Sequence, residues 1–99
     1  MELLLNEQDI VDSVCVYMAA KEYTNPEKVD VDLAFNPSNG FFATALVHDR
    51  TVNLNEQDLI DAVAVYLRDY HNFDPSRLLV DVNYHENEGI FASVQVKDY

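Results

Sequence analysis

The sequence repeats itself at a spacing of 49 residues. Residues 5–49 align with residues 54–98 without a gap, and more than a third of the aligned positions are identical. The run Leu-Asn-Glu-Gln-Asp at 5–9 returns at 54–58, and Gly-x-Phe-Ala at 40–43 returns at 89–92. Self-similarity of this kind marks two copies of one supersecondary unit. Because 99 residues allow one domain, we expect residues 1–99 to form a single domain made of these two repeats.

Each repeat begins with the pattern of a helix start. Asn6 is a good N-cap, and Asp9 three residues later can complete a capping box. Asn55 and Asp58 repeat the arrangement. Apolar residues then recur at helical spacing up to the Asn-Pro and Asp-Pro pairs at 25–26 and 74–75, which prevent continuation. The sequence therefore predicts helices over 7–22 and 56–71.

Two strands follow each predicted helix. Alternating apolar residues predict strands at 29–35 and 78–84, and loops containing Gly40 and Gly89 predict hairpins. The returning strands run over 41–47 and 90–96. We expect their inward sets to be Phe41, Ala43, Ala45, Val47 and Ile90, Ala92, Val94, Val96.

This order, α-β-β-α-β-β, predicts the α+β class. One helix and two strands cannot cover a sheet face, so we expect both hairpins to share one four-stranded antiparallel sheet, with both helices on one face and a pseudo-twofold axis between the repeats. Asp30, Asp32 and Asp81 favour edge positions for the first hairpin strands. The predicted order is thus 29–35, 41–47, 90–96, 78–84, a circular permutation of the ferredoxin-like sheet.

The charge balance argues against nucleic-acid binding. The chain has 18 acidic and 6 basic residues, for a net charge of −12, and its basic residues are scattered, whereas phosphate binding requires clustered Lys and Arg. No apolar run reaches the ~18–20 residues of a membrane span, and the N-terminus lacks the basic region of a secretory signal. A single cysteine, Cys15, fits a reducing compartment. We therefore expect a cytoplasmic protein that binds neither nucleic acid nor membrane.

The repeated Leu-Asn-Glu-Gln-Asp helix starts, the Val-x-Val-Tyr runs at 14–17 and 63–66, and the paired hairpins give the chain a family resemblance. It resembles the YxcD-like family of small, acidic, uncharacterised proteins from Bacillus and relatives over nearly its full length. The resemblance implies a bacterial, cytoplasmic, single-domain protein without an assigned activity. It carries over no functional residues.

The outer sheet face is the strongest candidate surface. In the predicted strand phase, six residues of the returning strands point away from the helices: Phe42, Thr44, Leu46, Phe91, Ser93 and Gln95. With both returning strands central, the two aromatic rings would form one apolar patch, a feature that often marks an interface. We expect a homodimer through this face. One alternative is that this face forms a ligand groove. The other is that the strand phase is shifted by one residue, which would bury Phe42 and Phe91 in the core.

The repeated carboxylates raise the possibility of a metal or acid-base site. Asp9 with Asp12, and Asp58 with Asp61, share a helix face, while Asp32 and Asp81 match on strands. The loop at 83–89 is polar but lacks EF-hand spacing. Helix-start charge and edge protection explain these groups, so the sequence predicts no metal and no cofactor.

Other reactive side chains also have structural explanations. His48, His71 and His85 form no zinc-like spacing, and Cys15 falls on the apolar helix stripe as a small core thiol. Tyr17 and Tyr66 match on the helix flank, where packing is expected and partner contact is the alternative.

The sequence thus favours a protein-interaction or homodimerising module over an enzyme, because no nucleophile–base pair is visible in it. The alternative is a small ligand- or metal-binding protein or an enzyme, with a site on the pseudo-twofold axis where Phe42, Phe91, Asp32 and Asp81 converge.

Overall fold

A computed structural model describes residues 1–98, which form two α-helices and six strands. The elements in chain order are β1 (Glu2–Leu5), α1 (Glu7–Lys21), β2 (Asp30–Asn36), β3 (Gly40–Val47), β4 (Arg50–Leu54), α2 (Glu56–His71), β5 (Leu78–His85) and β6 (Gly89–Val96). A single turn of 3-10 helix precedes both β2 and β5, at Pro26–Lys28 and Pro75–Arg77.

Both helices begin where the sequence predicts, because each start carries a complete capping box. Asn6 Oδ1 accepts a hydrogen bond from the Asp9 amide at 2.8 Å, and Asp9 Oδ2 accepts one from the Asn6 amide at 2.9 Å. Asn55 and Asp58 repeat both bonds at 2.9 Å. The helix α1 ends at Lys21, one residue before the predicted end, and α2 ends at His71 as predicted.

The predicted single four-stranded sheet is wrong. The two hairpins lie in separate three-stranded antiparallel sheets: sheet I, in the order β2-β3-β4, and sheet II, in the order β1-β6-β5. The ferredoxin-like permutation is therefore wrong as well. The physical reason is the presence of two short strands, β1 and β4, that were not predicted from the sequence. They pair with the inner edges of β6 and β3, which leaves those two strands no free edge with which to pair each other.

Each short strand pairs with the hairpin of the other repeat. β1, which leads into α1, pairs with β6 near the end of the chain, so that Leu5 lies opposite Ala92. β4, which leads into α2, pairs with β3, so that Leu54 lies opposite Ala43. The structural repeat is thus β-α-β-β, and each of its two sheets contains strands from both repeats.

The predicted strand phase and edge positions are confirmed. Phe41, Ala43, Ala45 and Val47 are buried in β3, as are Ile90, Ala92 and Val94 in β6, while Val96 is half-buried. β2 and β5 are edge strands, and their aspartates Asp30, Asp32 and Asp81 are exposed. The alternative in which Phe42 and Phe91 fill the core is therefore wrong, since the core belongs to their neighbours.

Both helices pack against both sheets. α1 contacts β2 and β6, α2 contacts β5 and β3, and the two helices contact each other. As a result the main core cluster joins Ile10 and Val14 of the first repeat to Leu59 of the second and to Ala43 and Ala92 of the two sheets. A second, smaller cluster of Val63, Leu67, Val80 and Val94 lies within the second repeat, and Leu3 and Leu5 of β1 pack against it.

The tight turns depend on left-handed backbone. Gly40 and Gly89 have φ of 80° and 77° at the ends of the two predicted hairpin loops, the conformation that glycine adopts without steric cost. His48 and Asp49 join β3 to β4 with φ of 51° and 60°. Two consecutive positive φ values are those of a type I′ hairpin turn.

Candidate functional site

The outward-facing residues predicted as an interface fall into two groups. Phe42, Thr44 and Leu46 lie on the outer face of β3 in sheet I, whereas Phe91 and Ser93 lie on the outer face of β6 in sheet II. The expected single patch, with both phenylalanines on adjacent central strands, is therefore wrong. The two groups belong to different sheets because β4 and β1 separate the strands that were expected to pair.

On sheet I, the outer face combines apolar and small polar side chains. Leu46 is 47% exposed and lies opposite Thr51. Phe42 is half-buried and lies opposite Ala34, with Thr44 between the two apolar residues. Asp30 and Asp32 stand opposite Leu46 and Thr44 on the edge strand. This face is an apolar stripe along the central strand with an acidic rim on one side.

Phe42 also borders an open depression of about 350 Å³ at the start of α2. Asn53, Asn55 and Asp58 line it. The carboxylate of Asp58 and the side chain of Asn55 are already bonded to each other's backbone in the capping box. Two of the three polar residues named here, Asn55 and Asp58, are therefore engaged in starting the helix.

On sheet II, the outer face holds a polar network at its centre. Ser93 Oγ donates a hydrogen bond to Glu2 Oε2 at 2.7 Å, and Gln95 Nε2 donates one to the same oxygen at 3.0 Å. Phe91 borders a depression of about 370 Å³ together with Leu4. Leu4 is 69% exposed and Leu79 is 54% exposed. Leu4 was not predicted as a surface residue, and the apolar run at 3–5 was the available signal.

The fold brings together a pair of matched residues that was not among the predicted site residues. The rings of Phe35 and Tyr84, which are matched by the 49-residue spacing, stack with centroids 5.7 Å apart and planes 6° apart. Phe35 also packs on Phe41, with centroids at 4.7 Å. Phe35 and Tyr84 are 44% and 53% exposed. Their matched positions at the ends of alternating strands were the signal for this contact.

The axial site proposed from Phe42, Phe91, Asp32 and Asp81 is not assembled. Asp32 lies opposite Thr44 in sheet I, and Asp81 lies opposite Ser93 in sheet II. The carboxylates therefore belong to different sheets, as the phenylalanines do, because the strand order differs from the predicted one.

Cys15 lies at a cleft beside the two helices and is half-buried. Its Sγ donates a hydrogen bond to the carbonyl oxygen of Val29 at 3.4 Å. Burial, followed by the nearby carboxylates of Asp12 and Asp30, raises the pKa of the Cys15 thiol. Since the thiolate is the nucleophilic form, this environment keeps the sulfur protonated and weakly reactive.

Tyr66 and Tyr70 line the same cleft. Tyr66 stacks on Tyr70 with ring centroids 5.2 Å apart. Partial burial, together with Asp12 and Asp9 of the other helix, raises the pKa of the Tyr66 hydroxyl. The ammonium group of Lys21 lies 4.5 Å from the ring centroid of Tyr17. Both matched tyrosines thus make intramolecular contacts at the helix edge.

The three histidines occupy separate places. His48 Nε2 lies 2.9 Å from the Glu22 carbonyl oxygen, His71 packs edge-on against Tyr66 at 5.4 Å, and His85 Nδ1 accepts from the Asn87 amide at 3.2 Å. Within residues 1–98, no group of three or more His, Cys, Asp or Glu side chains is arranged to hold a metal ion. Asp12 and Asp61 accept hydrogen bonds from Gln8 and Gln57 along their own helices.

Neither helix in the described part of the chain is long and apolar enough to cross a lipid bilayer. No solved structure matches the chain significantly. One relative, the uncharacterized protein YxcD of Bacillus subtilis (strain 168), is 52% identical over 46 residues. That match covers 46% of this chain and 45% of the relative, so it spans less than half of either protein.

The sequence profile of one family matches the chain twice, over residues 1–53 and 49–99. Each match takes in one β-α-β-β repeat, and together they span the whole chain. The resemblance carried by the repeated helix starts is thereby confirmed, and the chain belongs to the family described as "Protein of unknown function (DUF2653)".

Proposed function

We propose that the protein is a non-catalytic, cytoplasmic interaction module that forms a homodimer through the outer face of sheet I. The observation that supports the proposal most directly is the apolar stripe of Phe42 and Leu46 on the central strand β3, where Leu46 is 47% exposed. Fully burying a leucine side chain contributes roughly 1.5–3 kcal/mol. Covering the exposed half of Leu46 in each copy therefore favours association.

Sheet I is the better candidate of the two outer faces. Its central strand presents Phe42, Thr44 and Leu46, which two copies could pack around a twofold axis as a self-complementary surface. The corresponding strand of sheet II carries Ser93 and Gln95, both bonded to the Glu2 carboxylate. Packing a second copy there would require desolvating that charge, which costs free energy. We therefore assign the interface to Phe42, Thr44 and Leu46, and leave Phe91 and Ser93 outside it.

The charge of the two copies should make the stability of this dimer depend on the salt concentration. Each copy carries a net charge of −12, and Asp30 and Asp32 border the proposed interface. Like charges at such distances repel, and salt screens the repulsion over a Debye length of ~10 Å at 0.1 M. The dimer should thus become tighter as the salt concentration rises.

Leu46→Asp tests the proposal, with Gln95→Asp as its matched control. The two residues occupy the same position of the two repeats, and both changes add one negative charge. Sedimentation equilibrium should show a wild-type dimer whose dissociation constant rises about tenfold or more in Leu46→Asp, a change of about 1.4 kcal/mol. Gln95→Asp should retain the wild-type constant. A monomeric wild type, or equal effects of both changes, would contradict the proposal.

A small-ligand site on the pseudo-twofold axis is the second candidate function. The exposed stack of Phe35 on Tyr84 favours it, because a planar molecule could extend that stack. Thermal-shift titration with planar aromatic compounds, compared between wild type and Tyr84→Ser, tests it. A ligand of this site should raise the melting temperature of the wild type alone.

A further inference from the structure

The two strand ladders that connect the repeats are equivalent pair by pair. In sheet II, Leu3 lies opposite Val94 and Leu5 opposite Ala92. The residues that match these in the 49-residue repeat also pair with each other. Val52 lies opposite Ala45 and Leu54 opposite Ala43 in sheet I. The two ladders therefore have the same register.

The equivalent ladders are joined by very different lengths of chain. β3 and β4 are connected through the two-residue turn His48–Asp49. β1 and β6 pair although Glu2 and Gln95 stand at opposite ends of the described chain, and the Val96 amide donates to the Met1 carbonyl oxygen at 2.8 Å. The β1–β6 ladder shows that this pairing forms between segments that no short turn connects.

The short His48–Asp49 turn, which connects β3 to β4, has a strained backbone. His48 and Asp49 both adopt left-handed backbone, which a non-glycine residue adopts only at some steric cost. The contacts of His48 and Arg50 with Glu22 hold the turn closed against this strain. A strained, short hinge loop is the feature from which exchange of identical segments between copies starts.

The remaining contacts between the halves do not depend on the turn. The core cluster joins side chains of α1 and β3 to side chains of α2 and β6, and the helices pack on each other. A second copy of the chain offers the same side chains in the same register. Exchange at residues 48 and 49 would thus preserve every such contact and extend β3 directly into β4.

We propose that each half of this chain is a binding surface for the complementary half of a second copy, so that opening the His48–Asp49 turn yields a symmetric dimer in which residues 1–47 of one chain pack with residues 50–98 of the other. This goes beyond the proposed function, because it uses the inner ladders and the core and leaves the outer face of sheet I free.

Removing His48 and Asp49 tests the exchange. In the full chain lacking these two residues, the hairpin can close only by breaking the Val47–Arg50 pair and placing β-branched Val47 in the turn, which is unfavourable. In a Leu46→Asp background the sheet I interface is disabled as well. Light scattering should give twice the mass of one chain, with the wild-type helical circular dichroism. Inserting two glycines between His48 and Asp49 in the same background relaxes the turn and should give a monomer. A folded monomer after the deletion would overturn the proposal.

If the deletion variant does not fold, disulfide cross-linking between two chains tests the exchange instead. One chain carries Leu4→Cys and the other Ser93→Cys, two residues directly opposite in the β1–β6 ladder, and both chains also carry Cys15→Ala and Leu46→Asp. After unfolding and refolding together at high concentration, oxidation should yield the mixed disulfide dimer in excess over either homodimer. Chains mixed while folded should give little of it. No excess after joint refolding would overturn the exchange, whatever the outcome for the Leu46 interface.

Discussion

Tyr23 and Asn72, which follow the two helices, are matched by the 49-residue repeat, and both have left-handed backbone, with φ of 55° and 59°. Asn72 is a residue type that tolerates this conformation and is common after a helix end. Tyr23 is bulky, and its side chain is 96% exposed, so it gains little from packing in return. Both repeats therefore place a left-handed residue at this matched position, but the conformation is more strained at Tyr23 than at Asn72.

We predict that Tyr23→Asn stabilises the protein by about 1 kcal/mol, because it relieves a left-handed conformation that costs most side chains roughly 1–2 kcal/mol. The reciprocal change, Asn72→Tyr, should destabilise it by a similar amount. Urea unfolding monitored by circular dichroism measures both free energies. Equal stabilities of wild type and Tyr23→Asn would show that the tyrosine is not strained.

The hairpin glycines give a second prediction. Gly40 and Gly89 have φ of 80° and 77°, and a Cβ on either would lie 3.1 Å from a glutamate oxygen, of Glu56 or Glu7 respectively. Gly40→Ala and Gly89→Ala should each lower the free energy of unfolding by about 1–2 kcal/mol, since alanine disfavours this backbone region.

Asparagine separates the two causes at Gly40. It tolerates left-handed backbone but places a Cβ at the same point. Gly40→Asn should therefore cost less than Gly40→Ala in the same urea experiment if backbone strain dominates. Equal costs would assign the effect to the contact with Glu56 instead. Asn39→Ala, at the exposed neighbour, should change stability by less than about 0.5 kcal/mol.

The features that were predicted correctly are local in sequence. The capping boxes link Asn6 to Asp9 and Asn55 to Asp58, three residues apart, so a short pattern determines them. The strand phase follows from alternation within each strand, and burial of Ala43 and Ala92 confirms it. Both depend on interactions within one element.

The sheet order could not be predicted because it depends on pairing between distant segments. β1 has four residues, and its run of three leucines lacks the alternation that marks a strand. Its partner Ala92 is far along the chain from Leu5. Without β1 and β4, β3 and β6 each have a free edge, and pairing these two edges gives the predicted four-stranded sheet. The predicted joint patch of Phe42 and Phe91 is wrong for the same reason, because it required β3 and β6 to be adjacent.

Cys15 gives a prediction for pH dependence. Burial and the nearby carboxylates of Asp12 and Asp30 raise the pKa of its thiol above that of a free cysteine, about 8.5. Because the folded state holds the thiol proton more tightly, this group supports stability below the unfolded pKa, and the contribution is lost as pH rises toward the folded pKa. Stability should thus fall more steeply above about pH 8.5 in wild type than in Cys15→Ala.

Alkylation measures the same property of Cys15 directly. Iodoacetamide reacts with the thiolate, so the native protein at pH 8.5 should react several-fold more slowly than the urea-unfolded protein. The second repeat carries Ala64 at the corresponding position, which makes Cys15→Ala a conservative reference for the stability measurements. Equal alkylation rates in the folded and unfolded states would contradict the raised pKa.

The shared core leads to a last prediction, that the two repeats unfold together. Val14 and Val63 are matched by the repeat and both are fully buried. Val14 packs in the cluster that joins α1 to Leu59, Ala62 and Ile90 of the second repeat. Val14→Ala and Val63→Ala should each lower the free energy of unfolding by about 2–3 kcal/mol, from lost burial and the cavity left behind.

Each variant should nevertheless show one transition, coincident by circular dichroism of the helices and by tyrosine fluorescence. Repeats that folded as independent domains would behave differently. Val14→Ala would then move one of two transitions and Val63→Ala the other. Because each sheet contains strands from both repeats, loss of either half removes a strand from the other half's sheet, and unfolding should be cooperative across the whole chain.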